Sequence, residues 1–289
     1  MTSFKSASSF LAMPGHEELG KEIRKAADFP DSNLIYHIFN DGGIELSLPP
    51  LGSSVFILSD SKSIWDLLLV IQTLQKKGVS KIIPIIPFIP YARSHQFDFV
   101  NPLSFLGRSL KQAGATHLIT VDLHFDQAEG FFDYPVTHLH FYDLIIDDIK
   151  KRFDCNHLRI VAPDSGAVKR AEKLSDMLGC PLSIIQKKRQ ESDRLIQRIL
   201  GEVQGAHCII IDDLVDSGET LNRVTDYLIQ SGASQVDAYV THCFLKTPYL
   251  IKQLNSLTIS HSISFDKRWD RIRLCSIAPL IAEAVQKLK

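Results

Sequence analysis

Short apolar segments alternate with longer amphipathic segments along most of this chain. That alternation is typical of strand and helix units arranged around a parallel sheet, and it predicts an α/β fold. Short apolar runs predict strands at residues 55–58, 81–89, 117–123, 159–162, 182–185, 208–211 and 236–241. Apolar side chains at helical spacing predict helices at residues 64–77, 101–113, 141–153, 168–178, 221–230 and 279–288. Pro84 and Pro87 make strand 81–89 irregular or place it at a sheet edge.

The length of the chain, 289 residues, exceeds that of one ordinary domain and suits two packed ones. The predicted helix at 141–153 joins two similar series of strand and helix units, which predicts domains at 1–145 and 146–289. The closing helix at 279–288 fits either domain. No linker rich in glycine or serine separates the halves, so we expect close packing, with ligands at the carboxyl ends of the strands.

The charge and cysteine content argue against several classes of partner. Lysine plus arginine (32) nearly balance aspartate plus glutamate (33), so no overall field favours nucleic acid or an anionic membrane. Residues 1–20 make a poor signal peptide, and no apolar run approaches membrane-spanning length. The five widely spaced cysteines fit reduced, partly buried thiols, which predicts a cytoplasmic location.

The segment 208–220 carries the strongest functional signal. An apolar strand ends in two aspartates and runs through a glycine-containing loop into the start of a helix. Backbone N–H groups at a helix start bind anions, and adjacent carboxylates accept hydrogen bonds from the vicinal hydroxyls of a ribose, directly or through magnesium. The loop lacks the lysine of a nucleoside-triphosphate P-loop, so a phosphate monoester fits it better. The predicted ribose-phosphate site comprises Asp212, Asp213, Asp216, Ser217, Gly218, Glu219 and Thr220.

The sequence Ile-Ile-Ile-Asp-Asp-Leu-Val-Asp-Ser-Gly-Glu-Thr at 209–220 resembles the ribose-phosphate signature shared by type I phosphoribosyltransferases and ribose-phosphate diphosphokinases. The chain resembles the diphosphokinases nearly end to end, through Thr-Val-Asp-Leu-His at 120–124, Ala-Pro-Asp-Ser-Gly-Ala-Val-Lys-Arg at 162–170 and Lys-Lys-Arg at 187–189. Tyr-Ala-Arg-Ser-His-Gln at 91–96 is similar to the short archaeal-type members. The resemblance implies two similar domains of the type I phosphoribosyltransferase kind, each a mainly parallel sheet flanked by helices.

The resemblance also implies a role for each matching residue. Lys187 and Arg189 are expected to be catalytic, and His124 and Asp164 are expected to serve Mg²⁺ at the nucleotide. The implied ATP site comprises Phe39, Asp41, Arg93, Ser94 and His95. The implied reaction transfers the diphosphoryl group of ATP to O1 of ribose 5-phosphate, giving phosphoribosyl pyrophosphate and AMP. Family members commonly form homo-oligomers, as dimers or assemblies of dimers.

A few positions depart from the family pattern. Gly43 stands where the adenine tract has a carboxylate, and Ser94 stands where glutamine is usual. Residues 97–100 form an apolar insertion, and Glu219 replaces a common glycine at a position where its side chain can point to solvent. A turn between strands is the alternative to an adenine contact for residues 40–43. The departures therefore fall mainly on the ATP side.

Plainer structural roles stay open for several of these residues. Asp216 or Ser217 can cap the following helix, Asp164 can form a turn, and a lone histidine such as His124 is often structural. Residues 186–194 contain no apolar side chain, which suits either a solvated loop or a lid over the diphosphoryl group. The rival functions are a type I phosphoribosyltransferase and a non-catalytic regulatory homologue of the synthetase.

Overall fold

The structure, a computed structural model, describes residues 5–32, 34–40, 44–90, 100–189, 195–246, 253–263 and 270–289. The chain divides into two compact units. The first combines Met1–Leu139 with Ser276–Lys289, and the second comprises His140–Cys275. Among the helices that the structure describes, none has the length and apolar character needed to span a membrane.

A parallel sheet and helices form the first unit. Its strands are β1 (Lys5–Ala12), β2 (Ile35–Ile38), β3 (Ile44–Ser47), β4 (Gly52–Leu58), β5 (Lys81–Ile85), β6 (Leu118–Val121) and β7 (Val136–Leu139). Its helices are α1 (Glu17–Ala26), α2 (Ile64–Lys76), α3 (Pro102–Ala113) and the closing helix (Ala278–Leu288). The strand order is β1-β4-β5-β6-β7 with every pair parallel, whereas β2 and β3 form a separate antiparallel hairpin.

The second unit is built on the same principle around a larger sheet. Its strands are β8 (Leu158–Ala162), β9 (Leu182–Arg189), β10 (Leu195–Leu200), β11 (His207–Val215), β12 (Gln235–Cys243), β13 (Leu257–Ser260) and β14 (Ile272–Cys275). Its helices are α4 (Tyr142–Arg152), α5 (Val168–Leu178) and α6 (Glu219–Gln230). The order is β10-β9-β8-β11-β12-β13-β14, with β9 and β10 antiparallel and the other pairs parallel. The predicted α/β fold with mainly parallel sheets is confirmed.

Helix α3 illustrates how local sequence sets the bounds of an element. Leu103, Leu106 and Leu110 recur at helical spacing and are buried in the core of the first unit. Asn101 caps the start, because its Oδ1 accepts a backbone N–H of the first turn at 3.0 Å. Gly114 ends the helix with a φ of 122°, which glycine adopts without a Cβ clash. These signals explain why the predicted helix agrees with α3 to within one residue.

Strand β5 lies at the centre of the first sheet, so of the two predicted alternatives, an irregular strand or an edge strand, the structure selects the first. Ile82 donates its backbone N–H to Thr116 Oγ1, just before β6, at 3.1 Å. Ile86 donates to Ile119 O, within β6, at 2.9 Å. Pro84 lies midway between Ile82 and Ile86, so its backbone nitrogen also points toward β6. Proline has no N–H, so no hydrogen bond forms there. The β5–β6 ladder accordingly has one register pair, and continuous pairing with β4 holds the strand in the centre.

The closing helix packs on α1 and belongs to the first unit. Gln286 Nε2 donates to Ala26 O at the end of α1 at 3.2 Å. Lys81 Nζ, at the start of β5, donates to Leu288 O at 3.1 Å. Sequence alone left this packing open, because an amphipathic helix shows which side chains it buries but not the surface that covers them.

All five cysteines lie within the described ranges and are free thiols. Cys180, Cys208 and Cys243 are buried, and burial raises the pKa of Cys208 to about 12. A thiol with so high a pKa stays protonated at neutral pH, which makes it a packing group of the core rather than a nucleophile.

Candidate active site

The first two of the predicted ribose-phosphate residues, Asp212 and Asp213, lie where β11 extends past its pairing with β8. Strand β11 pairs with β8 over residues 207–210, whereas its pairing with β12 continues to Val215. Asp212 and Asp213 thus lie within β11, beyond the last register pair with β8. The strand is longer than the predicted run 208–211, because β12 keeps supplying backbone hydrogen bonds after the apolar residues end.

Three carboxylates gather at this end of the second sheet. Asp212 Oδ1 accepts the backbone N–H of Asp213 at 2.9 Å. Burial raises the pKa of Asp212 well above its usual range, and the negative charges of Asp213 and Asp164 raise it further, whereas Arg170 lowers it. The net rise means that burial and repulsion between carboxylates outweigh the attraction of that one cation. The cluster is therefore suited to bind hydrogen-bond donors or a further cation.

Asp164 reaches this cluster from the turn between β8 and α5. Its Oδ1 accepts the backbone N–H groups of Gly166 at 3.0 Å and Ala167 at 3.3 Å. The side chain therefore also stabilises a turn, which is the structural role predicted as the alternative for Asp164. Arg170 Nη1, on α5, lies 3.8 Å from Asp213 Oδ1. Sequence reasoning did not single out Arg170 as a site residue. The signal was present, because Arg170 closes the same motif that Asp164 opens.

The loop after β11 leads into α6 through a left-handed glycine. Gly218 has a φ of 80°, and its carbonyl oxygen accepts the N–H of Asn222 at 2.9 Å. The backbone N–H groups of the residues before Asn222, including Thr220, have no acceptor within the helix. They lie at the N-terminal end of α6, the end of a helix that binds anions. Ser217 Oγ accepts the N–H of Glu219 at 3.4 Å, a long contact. The N-cap position of α6 is occupied by Gly218 and has no side-chain cap, so the capping alternative for Asp216 and Ser217 is wrong.

Exposure alternates along this loop. Asp216, Ser217 and Glu219 are exposed, Thr220 is half-buried and Gly218 is buried. The exposed side chain of Glu219 agrees with the expectation that this departure from glycine is accommodated in solvent. A side chain on Gly218 would be both buried and strained, so the backbone path at the helix start depends on glycine.

The predicted catalytic residues Lys187 and Arg189 lie in strand β9, where the structure describes their backbone. Strand β9 continues four residues past the predicted strand 182–185 and pairs antiparallel with β10. The expectation of a loop is therefore wrong for residues 186–189, because an antiparallel partner satisfies the backbone whatever the polarity of the side chains. Residues 190–194 lie outside the described residues.

In the first unit, His124 is half-buried and lies three residues after the end of β6. Phe39 follows β2, is 47% exposed, and packs edge-on against His37 with ring centroids 4.7 Å apart. An exposed ring beside a hairpin connection can stack on a base. Strands β2 and β3 pair antiparallel, but most of the tract for which a turn is the alternative, residues 41–43, lies outside the described residues. The other predicted ATP-site residues, Asp41, Arg93, Ser94 and His95, lie outside the described residues.

Both halves of the chain match known protein families. Residues 9–120 match the N-terminal domain of ribose phosphate pyrophosphokinase, and residues 138–255 match the phosphoribosyl transferase domain. The two matched segments fall on the two series of strands and helices that the sequence predicts. The first match accounts for a half that a phosphoribosyltransferase alone would lack.

Whole-chain comparisons agree with the matches of the two halves. The ribose-phosphate pyrophosphokinase of Wolinella succinogenes is 32% identical, with 94% of this chain and 93% of that protein covered. The enzyme of Bacillus caldolyticus is 31% identical, with 96% and 93% covered. The crystal structure of phosphoribosylpyrophosphate synthetase from Mycobacterium smegmatis superposes with a TM-score of 0.88 at 29% identity, over 98% of this chain and 99% of that chain. This chain therefore belongs to the ribose-phosphate pyrophosphokinase family.

Proposed function

We propose that this chain transfers the diphosphoryl group of ATP to O1 of ribose 5-phosphate, giving phosphoribosyl pyrophosphate and AMP. The observation that carries the proposal is the meeting of Asp164, Asp212 and Asp213 beside the loop that opens α6. Phosphoryl transfer asks a protein mainly to align its substrates and to neutralise charge, and this cluster is suited to the first task.

The acceptor sugar binds in the second unit. The carboxylates of Asp212 and Asp213 accept hydrogen bonds from two vicinal ribose hydroxyls. The loop at 216–220 binds the 5-phosphate through backbone N–H groups and hydroxyls at the start of α6. Because Arg170 lies against Asp213, one carboxylate is held in place before the sugar arrives. Fixed contacts on two sides of the ribose orient O1 toward the donor.

The donor side combines charged and aromatic groups. Lys187 and Arg189 neutralise the charge that develops on the transferred group, and Phe39 stacks on the adenine. Arg93, Ser94 and His95 complete the nucleotide contacts together with Asp41. The first unit, Met1–Leu139 with Ser276–Lys289, supplies the ATP side, and the second unit, His140–Cys275, supplies the ribose-phosphate side.

Magnesium is the cation proposed to bind with ATP, and the carboxylates near the site suit it. Mg²⁺ prefers oxygen ligands and is usually held by one or two carboxylates together with substrate phosphates. Burial is the main cause of the raised pKa of Asp212, and the negative charge of Asp164 adds to it, which shows that the Asp164 carboxylate lies close to this cluster. Asp164 and His124 are the proposed ligands. When bound, the ion supplies charge neutralisation for the phosphates of ATP.

The proposal is tested by incubating the pure protein with ribose 5-phosphate, ATP and Mg²⁺ and measuring AMP. AMP formation that requires ribose 5-phosphate supports it, and Asp213→Ala should abolish most of that formation. A folded parent protein that forms no AMP with several triphosphates would instead be a regulatory homologue. Base-dependent consumption of phosphoribosyl pyrophosphate would identify a phosphoribosyltransferase.

Three finer points stay predictions. They are closeness to the short archaeal-type members, assembly into a homo-oligomer built from dimers, and a cytoplasmic location. Sedimentation velocity of the purified protein tests the second, since a monomer at micromolar concentration would contradict it.

A further inference from the structure

The turn that carries His124 is tightly constrained. Strand β6 ends at Val121, and Asp122 then adopts a left-handed backbone conformation with a φ of 40°. L residues adopt this conformation at an energetic cost, which surrounding contacts must offset. Asp122 is buried and donates its backbone N–H to Leu139 O at 2.9 Å. The direction in which His124 leaves the strand depends on the contacts that hold this turn.

The imidazole of His138, on β7, supplies one of those contacts. Its Nε2 accepts the backbone N–H of Leu123 at 2.9 Å, and its Nδ1 lies 2.9 Å from Glu129 Oε1. A neutral imidazole has one acceptor and one donor nitrogen, so its proton lies on Nδ1 and is donated to Glu129. The side chain of His138 is 4% exposed and that of Glu129 is 45% exposed. A buried ring is thus oriented by a carboxylate at the surface.

These two hydrogen bonds attach the chain on both sides of His124. Leu123 directly precedes His124, and Glu129 lies in the 3₁₀ segment Asp126–Phe131 that follows it. Both attachments converge on one ring, which is itself fixed to the sheet because β7 pairs with β6. A side chain between two anchored points keeps its position more closely than one on an unattached loop.

We propose that His138, oriented by Glu129, is a positioning residue for His124. This inference rests on the proposed function, in which His124 serves the metal of the bound nucleotide. Groups that orient a metal ligand typically change affinity or activity roughly 10- to 100-fold when they are removed. His138 therefore acts on the binding of magnesium–ATP and leaves the binding of ribose 5-phosphate unchanged.

The main test compares the dissociation constant of magnesium–ATP, measured by calorimetry without ribose 5-phosphate, in the parent and in His138→Leu. This substitution removes both hydrogen bonds, and we expect binding to weaken roughly 10-fold or more. His138→Gln restores an acceptor for Leu123 and should recover part of the loss. In the turnover assay, the KM for ATP should rise in His138→Leu while the KM for ribose 5-phosphate keeps its parent value.

A second pair of variants avoids a change in the buried ring. Glu129→Gln keeps an acceptor for the Nδ1 proton and should bind magnesium–ATP like the parent, whereas Glu129→Leu should bind it more weakly. Thr137→Val is the matched control. It removes the 2.7 Å contact between Thr137 Oγ1 and His117 Nε2, directly before β6, and leaves both hydrogen bonds of the neighbouring His138 ring in place. We expect this control to bind magnesium–ATP like the parent.

The outcomes separate this inference from the proposed activity. Weaker magnesium–ATP binding in His138→Leu and Glu129→Leu, with Thr137→Val unchanged, supports the positioning role even if the parent forms no AMP. Parent-like binding in Glu129→Leu and in a folded His138→Leu overturns it even if the parent is active. Equal losses in all three variants would indicate general loosening of the sheet and would also overturn it. A parent that does not bind magnesium–ATP overturns both proposals.

Discussion

Arg170 on α5 lies against Asp213 on β11, with Nη1 3.8 Å from Oδ1. Their side chains are 14% and 7% exposed, so water screens this pair far less than a surface ion pair. The same guanidinium lowers the pKa of Asp212, against the larger effects of burial and of the neighbouring carboxylates. One cation from the helix thus acts on both aspartates of the strand.

Replacement of Arg170 should therefore weaken the acceptor site. Arg170→Ala is expected to weaken binding of ribose 5-phosphate about tenfold, or about 1.4 kcal/mol, because Asp213 loses the cation that holds its carboxylate. Isothermal titration calorimetry measures this change. Arg223→Ala, which removes an exposed arginine from α6, is the control and should bind like the parent. An unchanged dissociation constant in Arg170→Ala would show that Arg170 does not prepare Asp213 for the sugar.

The carboxyl group of Asp212 should lower the free energy of unfolding of the ligand-free protein at neutral pH. Its pKa in the folded protein is raised, first by burial and then by Asp213. When the pKa of a carboxyl is higher in the folded state than in the unfolded state, its contribution to stability is fully present below the unfolded-state pKa. That contribution is lost as the pH rises through the folded-state pKa. Asp212→Asn should thus increase the free energy of unfolding near neutral pH by about 1 kcal/mol, and by less at about pH 4.

Urea unfolding of the ligand-free protein at both pH values tests this expectation. Asp216→Asn changes an exposed aspartate of the same loop and should leave stability unchanged. The stabilised Asp212→Asn variant should also bind ribose 5-phosphate more weakly, since an amide accepts fewer hydrogen bonds than a carboxylate. A variant that is less stable than the parent near neutral pH would contradict the sign of the argument.

Lys187 should act on turnover rather than on acceptor binding. Lys187→Ala is expected to lower kcat roughly 100-fold or more, because its charge is needed when negative charge develops on the transferred group. The dissociation constant of ribose 5-phosphate should stay unchanged. Arg198→Ala removes an exposed cation from the paired strand β10 and serves as the control. Equal turnover in Lys187→Ala and the parent would remove Lys187 from the mechanism.

Asp237 should make the second unit sensitive to acid. The carboxylate, fully buried on β12, accepts a hydrogen bond from His207 Nε2 at 2.7 Å and others from Asn255 and Ser256. Burial raises its pKa, but the hydrogen bonds from His207, Ser256 and Asn255 lower it more, so the net shift is downward. A lowered folded pKa gives stability that is present above the unfolded pKa and is lost as the pH falls through the folded pKa.

Removal of one donor should expose this dependence. His207→Phe is expected to reduce the free energy of unfolding by about 1–3 kcal/mol near neutral pH, because a buried carboxylate loses a hydrogen bond. The difference in free energy of unfolding between His207→Phe and the parent should become smaller at acid pH, where Asp237 is protonated. Urea unfolding at several pH values measures it, with exposed His157→Ala as control. A constant difference across the acid range would exclude Asp237 as its origin.

Segments with a strong periodic pattern of apolar residues were predicted well from the sequence. Strands that form mainly because a neighbouring strand pairs with them were not. Helix α5 begins and ends at the predicted residues, 168 and 178. Strand β1 was missed, because its segment Lys-Ser-Ala-Ser-Ser-Phe-Leu-Ala has little apolar character and is a strand by virtue of pairing with β4. Strands β13 and β14 were missed for a related reason. Four residues each carry too little periodicity, and the neighbouring strand decides their conformation.

The sequence by itself determined the alternation of strands and helices along most of the chain, the α/β class, and the motif that places two aspartates before a glycine-containing helix start. These are local properties, set by apolar spacing and by the residues that begin and end elements. Only the tertiary structure decided that β5 is central, that the closing helix packs on α1, that residues 186–189 continue a strand, and that Asp164 and Arg170 act on Asp212 and Asp213. Burial and charge–charge interactions between distant segments produce these features, so they exist only once the sheets have assembled.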